Sequence, residues 1–161
     1  MQEVAKTAGD VSIDRLVIVY NADDGWTSAL MDAVHKLVRP ETYECSLCMI
    51  SHGAVSMRRP WRNYLDSLPM EKRFYHRQDF ARAYPSDAFP VIAGLDLPAI
   101  LLESDSALHC LLSSQELGRL ADVKALIAAL DRALKSFRNR RGAGSSQLEP
   151  VRSGRETRLF C

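Results

Sequence analysis

The sequence predicts a single α/β domain, and three observations carry that expectation. An apolar run of strand length, Ile13 to Tyr20, is followed by an amphipathic helical stripe. A second apolar run, Pro98 to Glu103, is followed by a turn and a returning strand, and that hairpin leads into a capped helix. The third is bulk composition: 161 residues with 47% hydrophobic and 25% charged content supply one core of ordinary size without staples. Lys plus Arg number 21 against 20 Asp plus Glu, so no global field favours nucleic acid or an anionic membrane, and neither partner is expected.

The elements follow in order. After a polar leader, residues 1–12, the run Ile13-Asp14-Arg15-Leu16-Val17-Ile18-Val19-Tyr20 reads as a buried strand stopped by Asn21-Ala22-Asp23-Asp24-Gly25. Trp26, Ala29, Leu30, Ala33, Val34, Leu37 and Val38 mark one apolar face, so a helix is expected from Trp26 to Val38, with Asp23 or Asp24 as N-cap and Pro40 as its stop. A segment holding Cys45 and Cys48 comes next, then Gly53, a basic patch at Arg58-Arg59-Pro60 and a short helix from Trp61 to Leu68 closed by Pro69. Arg73 to His76 reads as a short strand, Gln78 to Tyr84 as a helical turn and Phe89 to Gly94 as an extended piece, punctuated by Pro85 and Pro90. Pro98 to Glu103 and Ala107 to Leu112 form the hairpin around Ser104-Asp105-Ser106. Ser113 and Glu116 have capping-box spacing, and the apolar face from Leu117 through Leu126, Leu130 and Leu134 predicts one helix ending at Phe137 that packs across the sheet. The domain is therefore read as 13–137. Residues 138–161 are basic and poor in apolar side chains, which predicts a disordered, solvated tail.

The N-terminus carries Glu3 and Asp10 without a long apolar run, and no stretch of about 18 apolar residues could span a bilayer, so cytoplasmic residence is expected. In that compartment, cysteines at positions 45, 48, 110 and 161 point to reduced thiols, a metal site or a reactive pair rather than a disulfide framework.

Chemistry concentrates in Cys45-Ser46-Leu47-Cys48-Met49-Ile50-Ser51-His52. If this segment is helical, positions 45, 48 and 52 share one face, where two thiols and an imidazole could meet. Three readings are open. The cysteines could be buried packing, since free cysteine is among the most buried residue types. They could cycle between dithiol and disulfide, favoured if Cys45 sits at a helix N-terminus. Or Cys45, Cys48, His52 and Cys110, with His109 as a substitute, could hold zinc or copper(I). Elsewhere, Asp23 and Asp24 read as helix caps before magnesium ligands. His76, Arg77 and Asp79 read as a surface turn, and His35 lies beside the first helical stripe. Arg58, Arg59 and Trp61 offer a cation and an aromatic for stacking, or Trp61 anchors its helix in the core. Cys161 has no C-a-a-X context and is expected to be a free thiol.

The order of elements, βαβαββα in type, resembles thioredoxin-like domains, most closely at Asp96-Leu97-Pro98-Ala99-Ile100-Leu101-Leu102 followed by Leu111 to Leu117. That resemblance implies a cis-proline opening the third main strand, with Leu97 and Pro98 bordering a substrate groove that faces the reactive thiol. The C-x-x-C of this chain follows the first helix, whereas the family's pair lies at the start of that helix, where Asn21 to Trp26 stand here. The combination Tyr20-Asn21-Ala22-Asp23, His35-Lys36, Cys45-x-Leu47-Cys48 and His76-Arg77-x-Asp79-Phe80 also resembles a family of small uncharacterised bacterial proteins, some labelled GTPases, over roughly residues 15–130. No G-x-x-x-x-G-K-[ST] occurs, so nucleotide hydrolysis is not expected. The leading expectation is a cytoplasmic thiol-redox or redox-sensing protein. Cys45 and Cys48 carry its chemistry, His52 accepts a proton, and Leu97, Pro98 and Trp61 meet a protein thiol or small thiol. The alternatives are the metal site, and an adaptor without chemistry that binds through Trp61 and the Phe74 to Phe80 region.

Overall fold

Leu16, Val17, Ile18 and Val19 are all fully buried, which requires a strand covered on both faces. This strand, β1 (Arg15–Val19), lies inside a four-stranded sheet with β2 (Glu71–Tyr75), β3 (Ala99–Ser104) and β4 (Ala107–Leu112) in the order β2-β1-β3-β4. The structure is a computed structural model and describes residues 14–22, 45–53 and 56–144. β1 runs parallel to β2 and antiparallel to β3, and β3 antiparallel to β4, so the sheet is mixed. Register places Arg15 opposite both Glu71 and Glu103. Its Nε donates to Glu71 at 2.7 Å and its Nη1 reaches Glu103 at 3.3 Å, while the Tyr84 hydroxyl donates to Glu103 at 2.9 Å. The Arg15 hydrogen bond is the main cause that holds the Glu71 carboxyl below its ordinary range. The β3–β4 loop is a two-residue turn with Asp105 and Ser106 at φ 51° and 62°, the left-handed pair whose twist suits a tight hairpin.

Alternation along the strands divides the interior into two clusters. Leu16, Ile18, Ile100 and Leu102 face one, and Val17, Val19, Ala99 and Leu101 face the other. The first is covered by α1 (Ser46–Ser51), α2 (Arg59–Ser67), α4 (Ser114–Gly118) and α5 (Val123–Gly144), through Leu47, Trp61, Leu65, Leu117, Leu126, Leu130 and Leu134. The second is covered by α3 (Arg77–Ala83) and the segment after it, through Phe80, Tyr84, Phe89, Val91 and Ile92. Edge-on aromatic contacts of Tyr84 with Tyr75 at 5.7 Å and with Phe89 at 5.2 Å knit that layer together.

Several expectations are corrected. The single helix from Ser113 to Phe137 is two helices. The Ser113–Glu116 capping box does start α4, but Gly118 ends it, and α5 begins after Asp122, whose carboxylate accepts the Ala125 N–H at 2.8 Å. α5 also continues past Phe137 to Gly144, so 138–144 is helix and not the start of a disordered tail. Arg141 binds it to the hairpin turn, donating to Ser104 Oγ at 2.8 Å and pairing with Asp105 at 2.9 Å. The piece expected to be extended at Phe89 to Gly94 instead contains a 3₁₀ turn, Pro90–Ile92, with Ala93 N–H on the Pro90 carbonyl. Proline fixes φ and lacks the N–H that a strand would use, which suits the first position of a helical turn. Leu97–Pro98 is a cis peptide. The leader 1–12, the helix expected at Trp26–Val38 with Asp23, Asp24 and His35, and residues 145–161 lie outside the described residues. No described helix is long and apolar enough to cross a membrane.

Trp61 is fully buried and stacks on Tyr64 with ring centroids 5.9 Å apart. Its indole Nε1 has no hydrogen-bond partner among the described residues, so its contribution is packing. Trp61→Ala is expected to cost about 3–5 kcal/mol in urea unfolding, whereas Trp61→Phe, which keeps most of the apolar volume and removes an unpaired donor, costs less than half as much.

Candidate functional site: the dithiol helix

The short helix α1 carries both cysteines. Cys45 is its N-cap, with its Sγ accepting the backbone N–H of Cys48 at 3.3 Å, and the Met49 N–H returns to the Cys45 carbonyl at 3.3 Å. This turn brings Cys45 and Cys48 to disulfide-bonding distance with Cα atoms 5.3 Å apart. The pair is local in origin, because a C-x-x-C at a helix start presents both sulfurs from consecutive positions of one turn. Leu47 and Ser51, one turn apart, point into the core and anchor the helix, and both are fully buried. Cys45 is 3% exposed, Cys48 is half-buried and Met49 is 50% exposed, so the helix shows Cys48 and Met49 outward and keeps Cys45 in.

His52 ends the helix in extended backbone, with its N–H on the Cys48 carbonyl at 3.0 Å. Its ring packs edge-on to Tyr20 at 5.5 Å, and its Nδ1 lies 2.8 Å from Ser51 Oγ. Ser51 Oγ donates its one proton to the Leu47 carbonyl at 2.6 Å. It can therefore only accept from His52, which fixes the proton on Nδ1 and leaves Nε2 as the acceptor. Burial first, and the Arg62 guanidinium second, hold the His52 pKa below its ordinary value of 6.5. The Tyr20 hydroxyl is buried beside Ser51 with no hydrogen-bond partner among the described residues, and burial pushes its pKa up to about 12 against a smaller pull from Ser51. Tyr20 and Ser51 are the members of this site that sequence reasoning missed. Ser51 stands one turn after Leu47 on the inward face, a polar residue at a core position, and that was the available signal.

The other site residues fall elsewhere. Cys110 packs with the second cluster, opposite Leu101, while Cys45 and Cys48 belong to the first. His109 lies against Phe137 at 4.8 Å. The set Cys45, Cys48, His52 and Cys110 proposed for zinc or copper is therefore not assembled. The sheet separates its members, His52 Nδ1 is taken by Ser51, and no group of three or more His, Cys, Asp or Glu converges among the described residues. Trp61 has no exposed surface to offer a substrate or partner and is the core anchor of α2. Leu97 is half-buried against the second cluster, whereas Cys45 and Cys48 belong to the first, and Pro98 is buried. Pro98 precedes Ala99, the partner of Val19, so its backbone lies at the same sheet end as Tyr20. His76 and Arg82 both pair with Asp79, at 3.8 and 2.5 Å, within the surface helix α3. Cys161 lies outside the described residues. Comparison with known protein families, with curated proteins and with solved structures finds no match to this chain.

Ser51→Ala is expected to cost about 1–3 kcal/mol and to release the His52 ring, seen as altered ring-proton shifts of His52 and Tyr20. The fold favours neutral His52, so its contribution is complete above the unfolded pKa of about 6.5 and is lost as pH falls through the lower folded value. Unfolding free energy measured from pH 7.5 down to 5 should therefore decline on acidification, and His52→Gln should make that decline shallower.

Proposed function

We propose that this protein is a thiol-redox or redox-sensing protein on a thioredoxin-like fold, in which Cys45 and Cys48 cycle between a dithiol and a disulfide. The observation that carries the reading is the placement of both sulfurs in one turn of α1, at bonding distance, with Cys45 inside and Cys48 toward solvent. Oxidation removes two electrons and two protons from the two thiols, and a partner disulfide takes them up to become two thiols. The N–H of Cys48, aimed at Cys45 Sγ, favours the thiolate form that such exchange requires. Neutral His52 with its Nε2 lone pair supplies a proton acceptor one turn beyond Cys48.

The thioredoxin-like assignment is supported by the strand order, by the parallel first pair and by a proline immediately before β3. The partner is a protein thiol or a small thiol. In a reducing cytoplasm the pair would rest as the dithiol and carry its disulfide only transiently, as catalytic and sensing pairs do.

From protein purified without reductant, the peptide that holds Cys45 and Cys48 is expected to lack the mass of two hydrogens relative to its reduced form. Cys45→Ser and Cys48→Ser should each abolish that deficit and the reduction of insulin disulfides. Retention of both activities by Cys45→Ser would refute the reading.

A further inference from the structure

The two sulfurs are unequal in a way that selects the point of exchange. Thiol–disulfide exchange requires the incoming thiolate to reach a sulfur, and its rate depends on which sulfur is accessible and on how well the other is stabilised as it leaves. Cys45, 3% exposed, is closed to an incoming group, and its sulfur holds the Cys48 N–H. Cys48 is half-buried and adjoins Met49, the most exposed apolar side chain of the helix. Burial therefore directs attack to Cys48, and the N–H directs the leaving electron pair to Cys45.

A second feature lies at the other end of the same helix. The chain turns back after His52 through a bridge between His52 and Met57, and the Arg58 N–H reaches the Ser51 carbonyl at 2.9 Å. This return sets Arg58, and Arg59 and Arg62 from the first turn of α2, against the end of α1. Arg62 is near enough to His52 to act on its charge. All three arginines are exposed, and none forms an ion pair with a carboxylate among the described residues; Asp66, one turn beyond Arg62, does not engage it. Four residues of helix, about 6 Å of rise, separate Cys48 from His52, a span that a molecule of a few bonds covers. Guanidinium groups bind carboxylates in a two-pronged geometry and hold them through water-exposed contact more durably than lysine does.

We propose that Cys48 is the sulfur exchanged with the partner, and that the partner is a small anionic thiol whose carboxylates are held by Arg58, Arg59 and Arg62. The proposal rests on the dithiol reading above. In the reductive direction the thiolate of the small thiol attacks Cys48 Sγ; a bond forms between the two sulfurs, the Cys45–Cys48 bond breaks, and its electron pair leaves on Cys45 Sγ. A second equivalent of the thiol attacks the sulfur of the bound thiol, releases Cys48 as thiolate and departs as the small-molecule disulfide. Two electrons pass from two small thiols to the cysteine pair, and both thiolates take protons from solvent. The reverse sequence oxidises the pair with the small-molecule disulfide.

The test is the rate of reduction of the oxidised full chain by mercaptosuccinate, 2-mercaptoethanol and cysteamine, each expressed per thiolate present, at low and at high salt. Mercaptosuccinate should be about tenfold or more faster than cysteamine at low salt, with the preference shrinking at high salt. The triple change Arg58→Gln, Arg59→Gln and Arg62→Gln should remove the preference, while Arg82→Gln, on the exposed side of α3 at the other face of the sheet, should leave it. With the disulfide of mercaptosuccinate, Cys45→Ser should form a lasting adduct at Cys48, and Cys48→Ser should react at Cys45 about tenfold more slowly. Equal rates for the three thiols in the wild-type protein, a preference that survives the triple change, or faster labelling of Cys45 would each overturn the proposal. Neutral dithiothreitol separates this failure from that of the parent reading: if it reduces the pair without any charge preference among the monothiols, only the partner assignment falls. If it leaves the folded protein unchanged, the dithiol reading falls and this proposal with it.

Discussion

The burial of β1 on both faces is the constraint from which the rest of the structure follows. Four consecutive apolar residues, Leu16 to Val19, cannot alternate between core and solvent, so each side of the sheet needs its own cover. One side receives α1, α2, α4 and α5, and the other receives α3 and the aromatic segment that follows it. β1 also fixes the charged seam of the sheet, because Arg15 stands opposite Glu71 on one neighbour and Glu103 on the other. A partly buried guanidinium between two carboxylates satisfies all three groups at once, and the Tyr84 hydroxyl ties the second layer to the same point.

The dithiol helix depends on that arrangement at one remove. β1 ends at Tyr20, whose ring meets His52, and Tyr20, Cys45 and Leu47 share the first core cluster. A six-residue helix is too short to hold itself in water, so its position comes from Leu47 and Ser51 seated in the core. What the core takes from the helix decides what remains for solvent. With Leu47 and Ser51 inward, Cys45 is drawn in beside them and Cys48 and Met49 are left outward. The difference in exposure between the two sulfurs is therefore a packing consequence.

Ser51 shows how a buried hydroxyl can set the state of a neighbour. Its proton goes to the Leu47 carbonyl and its lone pair receives the His52 Nδ1 proton, which sets the tautomer of the imidazole. Burial and the nearby Arg62 act in the same direction on the ring. The basic return of the chain through Arg58, Arg59 and Arg62 gives the outward face of this region a positive character that a net charge of +1 over the whole chain conceals.

The sequence by itself determined the elements whose signal is local. The apolar run of β1, the hairpin around Asp105 and Ser106, the Ser113–Glu116 capping box and the C-x-x-C pairing all arise from residues within a few positions of one another, where periodicity and turn chemistry apply directly. The break between α4 and α5 was less legible, because the apolar stripe continues through it and only Gly118 and Asp122 mark the interruption. Tertiary structure alone decided the rest. The extension of α5 past Phe137 depends on Arg141 reaching the hairpin turn, a contact with Ser104 that is 37 positions away in the chain. The parting of Cys110 from Cys45 and Cys48 depends on which face of the sheet each residue occupies, and the exposure of one sulfur over the other depends on what packs against α1. Spacing specifies which side chains can share a face, but only the closed core specifies which face is covered.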